Sequence, residues 1–346
     1  MKNSIYHMYS IPRNRIGENL TQFEREHILN LSGDVDLSPS LFPKRFHQFS
    51  FVEMNSTYIE LIDGYFYNIG RSVGIGGGLL FTLVSMAVAL NVFLLFLLLP
   101  HENGGESFGF LFYCILFSLL FLSFYMVFKN IKAFQYYEFN GYYYLPIRFN
   151  RKTNKLYLYS SDGEQVERKP NQLVFAISAN KGFLDAKDYA LSAFELDKDG
   201  IIIRHYAIGQ SSYHLENISQ LWEFIRVYWI KGPDPLMPKH IKDHTTIYDR
   251  KSYLVYCNDV KNKEAKAIDS WRRIRLSHDR NIFFEILGFP FDVLHFLGRR
   301  ACLKYRTIPQ WSAEIETRNI CEENDFCQIN SKNNYHYKYF SIEENK

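Results

Sequence analysis

Two long apolar runs dominate the first third of the chain, at 74–99 and 108–128. Neither run contains Lys, Arg, Asp, Glu or His. A helix needs roughly 20 apolar residues to cross the hydrocarbon core of a bilayer, and a charge at its centre costs about 2.5–3.5 kcal/mol on insertion scales. The pattern therefore predicts a transmembrane hairpin of two helices over 73–128.

The residues that flank the two runs indicate how this hairpin is oriented. The bridge at 101–106 has two carboxylates and no Lys or Arg, whereas Arg71 precedes the first run and Lys129 and Lys132 follow the second. Lys and Arg close to the ends of a span favour the cytoplasmic side. We therefore expect both termini to lie in the cytoplasm.

Beyond residue 140 the pattern changes to period two, which is typical of strands with one buried face. A polar turn at 150–155 lies between two alternating segments and indicates a hairpin, and further strands are predicted between 165 and 208. From 217 the apolar positions recur at helical spacing until Gly232-Pro233. Strands followed by an amphipathic helix are the order of pleckstrin-homology-like barrels. We therefore expect a cytoplasmic α+β domain at 140–233, with antiparallel strands closed by this helix.

The region at 239–316 is basic and is predicted to be helical, with an apolar stretch at 282–297. Arginines flank this stretch, namely Arg272, Arg273, Arg275, Arg299 and Arg300. An apolar segment flanked by arginines is able to lie in the headgroup plane of a membrane, but two helices packed on the strand domain explain the same pattern. Both interpretations stay open. A cytoplasmic segment at 1–72 and a polar tail at 317–346 complete the organisation.

The charge of the chain is mildly basic. Lys and Arg exceed Asp and Glu by three over the whole chain, and by 33 to 27 after the second apolar run. An excess this small favours anionic lipid over nucleic acid as a partner. The five cysteines are odd in number, so we expect thiols and not disulfides. No spacing indicates a metal site, a cofactor or a catalytic set, and none indicates the oligomeric state.

Small residues four positions apart mark one face of the first apolar run, at Gly70, Gly74 and Gly78. Such stripes let helix backbones approach closely in lipid. The stripe predicts contact either with the second run of the same chain or with a transmembrane helix of another protein. Asn91 carries the only side-chain amide of the two runs and is expected to hydrogen-bond across the same helix contact.

Three strings of the sequence together resemble one family. They are Pro-Ile-Arg-Phe-Asn-Arg-Lys-Thr-Asn-Lys at 146–155, Leu-Trp-Glu-Phe-Ile-Arg at 221–226 running to Gly232-Pro233, and Arg-Thr-Ile-Pro-Gln-Trp-Ser-Ala-Glu-Ile-Glu at 306–316. With the hairpin before them, they are similar to an uncharacterised family of bacterial two-span inner-membrane proteins. Members of that family are encoded beside type VI secretion effectors, including Rhs-type toxins. The resemblance implies a place in the bacterial inner membrane and a role in interbacterial competition.

The function that this resemblance implies is that of an immunity protein, which binds and neutralises a cognate toxin. A stable interface buries about 800 Å² on each partner, so the short bridge at 101–106 is too small to bind a periplasmic enzyme. A pore-forming or membrane-inserting toxin fits best. Two alternatives stay open: an accessory protein that holds an effector before loading, and a lipid-binding scaffold. No set of residues indicates an enzyme.

Overall fold

The structure is a computed structural model of the 346-residue chain. It describes residues 15–32, 50–70, 73–74, 90–91, 121, 139, 141–160, 162–181, 187–236, 282–322, 325, 327, 328 and 330. The chain divides into two compact units. The first is drawn from 1–68, 142–265 and 307–346, and the second from 69–141 and 266–306.

The strands and helices of the described residues are numbered here in chain order. The strands are β1 (Ile28–Leu29), β2 (Phe51–Met54), β3 (Tyr58–Leu61), β4 (Ile147–Asn150), β5 (Lys155–Tyr159), β6 (Gln165–Arg168), β7 (Val174–Lys181), β8 (Lys187–Leu196) and β9 (Ile202–Ser212). The helices are α1 (Gln22–Glu26), α2 (Leu215–Lys231), α3 (Ile282–Tyr305) and α4 (Ala313–Arg318).

One antiparallel sheet combines strands from both sides of the apolar runs. Its order is β2-β3-β4-β5-β6. β3 precedes the runs and β4 follows them, yet the two strands pair directly, with Tyr58 opposite Asn150. The hairpin predicted around 150–155 is confirmed as β4–β5. Asn154 makes its turn with a φ of 54°, a left-handed conformation that Asn tolerates better than most residues.

The second antiparallel sheet has the order β1-β7-β8-β9. The strands predicted between 165 and 208 are confirmed as β6 to β9. The two sheets are joined where the chain leaves β3: Gly64 donates a 3.0 Å hydrogen bond to the carbonyl of Ala207, and Gly209 donates one of 2.9 Å to the carbonyl of Ile62. The residues after β3 therefore run beside β9.

Helix α2 packs against the core of the first unit and confirms the helix predicted from residue 217. Its apolar face includes Ile218, Leu221, Trp222, Ile225 and Tyr228, all buried. The rings of Trp222 and Phe175 lie 5.0 Å apart, which places the helix against β7. Burying one large apolar side chain contributes about 1.5–3 kcal/mol. The helix ends at Gly232, whose φ is 84°.

The fold class expected from the sequence is wrong. The described residues form an α+β protein with two antiparallel sheets, and not a membrane hairpin joined to one pleckstrin-homology-like domain of strands closed by a helix. None of the described helices is long and apolar enough to cross a membrane. The two apolar runs themselves fall outside the described residues, apart from short pieces at 74, 90–91 and 121.

The expectation failed because it treated the apolar runs as a boundary between domains. The N-terminal segment at 1–72 supplies β1, β2 and β3, and so contributes strands to both sheets. Strand pairing over such sequence separations leaves no trace in local periodicity, since the period shows which face is buried and not which neighbour is hydrogen-bonded.

Candidate functional site

The glycine stripe predicted on the first apolar run is described in part, within the second unit. A Cβ added to Gly70 would fall under 3.0 Å from the backbone of Arg299 on α3, and one added to Gly74 would meet α3 equally closely. Gly298 of α3 faces both glycines at the same short range. Gly78 lies outside the described residues. The described glycines therefore allow close backbone contact with α3, and their use against a toxin helix stays a prediction.

The other predicted site residues lie in different surroundings. Asn91 is helical and half-buried, and Arg300 is exposed on α3. Arg299 is only 1% exposed, so its guanidinium is packed inside the second unit. Three of the predicted arginines lie outside the described residues, namely Arg272, Arg273 and Arg275. Lipid contact by the arginines stays a prediction.

Glu60 and Arg148 form a buried ion pair in the five-stranded sheet. They stand opposite each other on β3 and β4, and their side chains are 0% and 2% exposed. Arg148 also makes two 3.1 Å hydrogen bonds to the carboxylate of Glu316, and its guanidinium lies 5.0 Å from the ring centroid of Trp311. Tyr144 donates a 3.0 Å hydrogen bond to Oε1 of Glu60.

Burial and ion pairing shift the pKa of Arg148 in opposite directions. Burial lowers the pKa of Arg148, but the carboxylates of Glu60 and Glu316 more than offset it, so the pKa ends above its usual value. Burial raises the pKa of Tyr144, and the charge of Glu60 raises it further. At neutral pH Arg148 is therefore charged and Tyr144 is a neutral donor. Removing either member of such a pair leaves an uncompensated buried charge, which indicates a structural role.

This cluster attaches the C-terminal segment at 307–328 to the five-stranded sheet. Further along the segment, Asn150 of β4 donates a 2.9 Å hydrogen bond to Oδ1 of Asn319. The backbone N–H of Ser56 donates one of 2.6 Å to the carboxylate of Asp325. Polar contacts thus follow the segment along the inner strands β3 and β4 to the turn that precedes β3.

The three strings that carry the family resemblance meet at β4. The first string supplies Arg148, which contacts the third string through Trp311. It also supplies Arg151, whose Nη1 would lie 2.9 Å from a Cβ added to Gly232 of the second string. The strings therefore build one structural junction. Sequence reasoning missed Arg148 and Glu60 as a pair, although each is a charge inside an otherwise apolar strand.

A second buried polar cluster joins α1 to the four-stranded sheet. Arg15 and Glu24 form an ion pair and are 8% and 1% exposed. From Glu24 a chain of hydrogen bonds runs to Ser178 (2.8 Å), Ser192 (2.9 Å) and Nε2 of His205 (3.0 Å). Burial raises the pKa of Glu24, but its hydrogen bonds, led by that from Arg15, more than offset this and lower it. The carboxylate is therefore ionised at neutral pH.

His205 is one of the residues that line a cavity of about 50 Å³ in the first unit. Its ring stacks on Phe194 with 4.8 Å between centroids. Burial lowers the pKa of His205 to about 4, so the ring is neutral at pH 7. Asp63 and Arg204 line the same cavity.

Two exposed isoleucines lie on neighbouring segments of the chain. Ile16 is a lining residue of this cavity and is 46% exposed, and Ile203 is 43% exposed. The backbone N–H of Gly17 donates a 2.8 Å hydrogen bond to the carbonyl of Ile202, which brings the chain at Ile16 beside the chain at Ile203. Large aliphatic side chains exposed together are a feature of interaction surfaces.

A charged pair borders these isoleucines. Arg204 follows Ile203 on β9 and contacts Glu164 over 3.0 Å. The pairing of β8 with β9 is irregular at this point, between Glu195 and Leu196, and such a bulge redirects side chains. We name this surface the Ile16 face, defined by Ile16, Glu164, Ile203 and Arg204.

Other chemistry is limited in the part of the chain that the structure describes. Within that part, no group of three or more His, Cys, Asp or Glu side chains could hold a metal ion. Burial raises the pKa of the Cys321 thiol to about 11. That thiol is protonated at neutral pH and is a poor nucleophile. The Ile16 face and the cavity beside it are therefore the candidate functional site.

Comparison with known proteins finds one family. The model of a family described as "Family of unknown function (DUF6708)" matches residues 120–323, which is more than half of the chain and includes all three strings. No curated protein and no solved structure matches.

Proposed function

We propose that this chain, which belongs to the family of unknown function DUF6708, is an immunity protein that binds a cognate secreted toxin and neutralises it. The observation that carries the proposal is the Ile16 face, where two exposed isoleucines adjoin an ion pair. An apolar centre with a polar rim is the usual composition of a protein–protein interface. The toxin would bind with its own apolar side chains against Ile16 and Ile203.

The buried Arg15–Glu24 ion pair supports this role because it anchors the segment that carries Ile16. Arg15 directly precedes Ile16 in the sequence and is held by Glu24. The face is thus carried on a segment that is fixed before any partner arrives. Ordering loops and side chains on binding costs affinity, and a pre-ordered surface avoids much of that cost.

The area of the face also sets a condition on the complex. A stable interface buries about 800 Å² on each partner, which four side chains do not provide. The toxin would therefore cover the neighbouring surface of the first unit as well. A pore-forming or membrane-inserting toxin and a place at the bacterial inner membrane are hypotheses that depend on the family resemblance. The cytoplasmic position of both termini is a hypothesis that depends on the charges flanking the two apolar runs.

The test is genetic and uses a strain that produces the toxin. The gene for this chain is deleted and then supplied again as wild type, as the Ile16→Asp/Ile203→Asp double variant, or as Ile28→Asp. Ile28 is a matched control because it is 54% exposed on β1 and lies outside the face. We expect self-intoxication on deletion, rescue by wild type and by Ile28→Asp, and no rescue by the double variant when all three are equally folded.

Other outcomes would overturn the proposal. If effector secretion falls on deletion without self-intoxication, the chain is an accessory protein and not an immunity protein. If the double variant protects fully, the toxin binds elsewhere. Membrane potential, recorded during intoxication, tests the toxin class: a pore-forming toxin depolarises the cells, whereas loss of DNA or cell wall at intact potential excludes it.

A further inference from the structure

Four exposed side chains of helix α3 share one side of the helix. Phe289 and Leu297 are 55% and 54% exposed, and Arg300 and Lys304 are exposed as well. At 3.6 residues per turn, the spacing of these positions keeps all four within about 80° around the helix axis. We name this side the α3 face, defined by Phe289, Leu297, Arg300 and Lys304.

The other side of α3 is packed inside the second unit. The side chains buried on that side are His295, Arg299, Cys302 and Leu303. The backbone is in close contact as well, because a Cβ added to Gly298 would fall 2.3 Å from the carbonyl oxygen of Gly70. These contacts hold the helix in one rotation about its axis, so the α3 face is directed outward.

The α3 face combines apolar and basic side chains. Phe289 and Leu297 lie toward its N-terminal end, and Arg300 and Lys304 lie toward its C-terminal end. Asp292 is the acidic residue of α3 whose side chain the structure describes. It is half-buried and lies about 60° outside the α3 face. The described part of the face is therefore apolar at one end and positively charged at the other.

This charge disfavours a second copy of the chain as the occupant. In a two-fold dimer the same surface contacts itself, so cations of both copies would enter one interface with no carboxylate of the face to pair with them. A buried charge without a partner is strongly unfavourable. The occupant must instead supply both an apolar phase and negative charge.

We propose that the α3 face binds the surface of an anionic lipid bilayer. Phe289 and Leu297 enter the boundary between headgroups and acyl chains, as the apolar face of an interfacial helix does. Arg300 and Lys304 contact the lipid phosphates, which their long side chains reach while the apolar neighbours are buried. Arg299 belongs to the packed side and takes no part. This assignment does not depend on the proposed immunity function.

The sequence of the second unit supports a lipid partner. Its segment at 69–141 includes both apolar runs, which contain no charged residue. The first residue of the first run is in backbone contact with α3, since a Cβ added to Gly74 would fall 2.1 Å from the carbonyl oxygen of Leu294. The α3 face therefore belongs to the unit that holds the longest uncharged stretches of the chain.

The experiment reports on single positions of the full chain. Trifluoromethylphenylalanine is placed at position 289, and its ¹⁹F signal is recorded while vesicles are added. The vesicles contain phosphatidylglycerol, phosphatidylcholine and a lipid with a nitroxide at its headgroup, which broadens the signals of nuclei close to it. We expect strong broadening at 289 with these vesicles and little with phosphatidylcholine vesicles that carry the same nitroxide. The same label at 213, in the first unit, should be broadened less.

Matched substitutions test the two parts of the α3 face. Arg300→Gln/Lys304→Gln should raise the lipid concentration at half-maximal broadening roughly 30-fold. Lys169→Gln/Lys198→Gln removes the same charge at exposed positions of the first unit and should leave it unchanged. Leu297→Asn should raise it roughly tenfold. Added salt should weaken binding of the wild type more than binding of the Arg300→Gln/Lys304→Gln variant.

Several results would overturn the assignment. It fails if anionic vesicles leave the signal at 289 unchanged, if uncharged vesicles broaden it as strongly, or if position 213 is broadened as much as position 289. It also fails if the two double variants weaken binding equally. Sedimentation equilibrium without lipid tests the second copy: a dimer that Leu297→Asn dissociates would show that the face is an interface between copies of the chain.

Discussion

Trp311 donates a 3.1 Å hydrogen bond from its indole Nε1 to Oε2 of Glu60, the oxygen that is also paired with Arg148. The two residues come from opposite ends of the sequence. The bond gives the C-terminal segment at 307–328 an anchor on a buried charge. The stability of the first unit should therefore depend on residues that lie far apart in the chain.

Trp311→Phe tests this anchor directly. The substitution keeps an aromatic ring beside Arg148 but removes the indole donor to Glu60. A buried acceptor that loses its partner costs about 1–3 kcal/mol, so the free energy of unfolding in urea should fall by about that amount. Tyr213→Phe is the control, because Tyr213 is 47% exposed and its change should stay within about 0.5 kcal/mol. Equal effects of the two substitutions would contradict the anchor.

The Glu60–Arg148 pair should show strong energetic coupling. Arg148→Met leaves Glu60 buried without its cation, and breaking such a pair costs about 3–5 kcal/mol. In a double-mutant cycle, Arg148→Met with Glu60→Gln should be less destabilising than the sum of the single changes, by about 1–3 kcal/mol.

An exposed pair serves as the reference for that cycle. Arg318 and Glu167 lie 2.7 Å apart and are 42% and 33% exposed. Exposed pairs contribute about 0–1 kcal/mol, so Arg318→Met with Glu167→Gln should be nearly additive. If the effects of Arg148→Met and Glu60→Gln on stability were also additive, the two buried residues would not be energetically coupled.

Stability should fall in acid in two separate pH ranges. The pKa of His205 is lowered from 6.5 to about 4 by burial. Between these values the unfolded chain binds a proton that the folded protein does not, so stability falls as the pH drops from 6.5 to 4, by about 3 kcal/mol. Glu24 has a lowered pKa, so its contribution is present above its usual value of 4.5 and is lost as the pH falls below it.

Single substitutions assign each of the two pH ranges to one residue. The measurement is the free energy of unfolding in urea as a function of pH. His205→Phe should flatten the profile between 6.5 and 4 and leave the fall below 4.5. Glu24→Gln should leave the fall between pH 6.5 and 4 and flatten the profile below pH 4.5. His214→Gln, at an exposed position of the chain, is the control for the loss of a histidine. A wild-type profile that is flat from pH 6.5 to 4 would contradict the burial of a neutral His205.

Gly298→Ala should disrupt the second unit. A Cβ at this position would fall 2.8 Å from Cα of Gly74, and overpacking of this kind costs about 1–3 kcal/mol or more. Gly141→Ala is a control within the same unit, because the atom nearest to its Cβ would be 3.6 Å away on the side chain of Arg306. Thermal unfolding should show a lower midpoint for Gly298→Ala only. Equal midpoints would mean that α3 has room to move.

Local elements of the fold could be predicted from the sequence because their signals are local. The β4–β5 hairpin followed from a polar turn between alternating segments, and α2 followed from apolar residues at helical spacing. The pairing of β3 with β4 has no such signal, since it joins segments that lie on either side of the apolar runs. Hydropathy alone then led to the wrong fold class.

Less of the candidate site than of the fold could be predicted from the sequence. The spacing of Gly70 and Gly74 indicates close backbone approach, but spacing does not name α3 as the element approached. Ile16 lies in a polar segment, and its exposure beside Ile203 depends on backbone pairing between 17 and 202. The hydrogen-bond chain that reaches His205 passes through three residues from distant parts of the sequence, Glu24, Ser178 and Ser192, and no motif records such a chain.

The pairing of β3 with β4 has a consequence for how the chain folds. Everything from 62 to 146 must close as a loop before these strands meet, and loop closure costs entropy before any contact offsets it. The strands from β4 onward and α2 follow one another more closely, so they should form the folding nucleus. On the ribosome, the β2–β3 hairpin would then wait without its neighbour until β4 is synthesised, and the open edge of β3 would be a natural binding site for chaperones in the meantime.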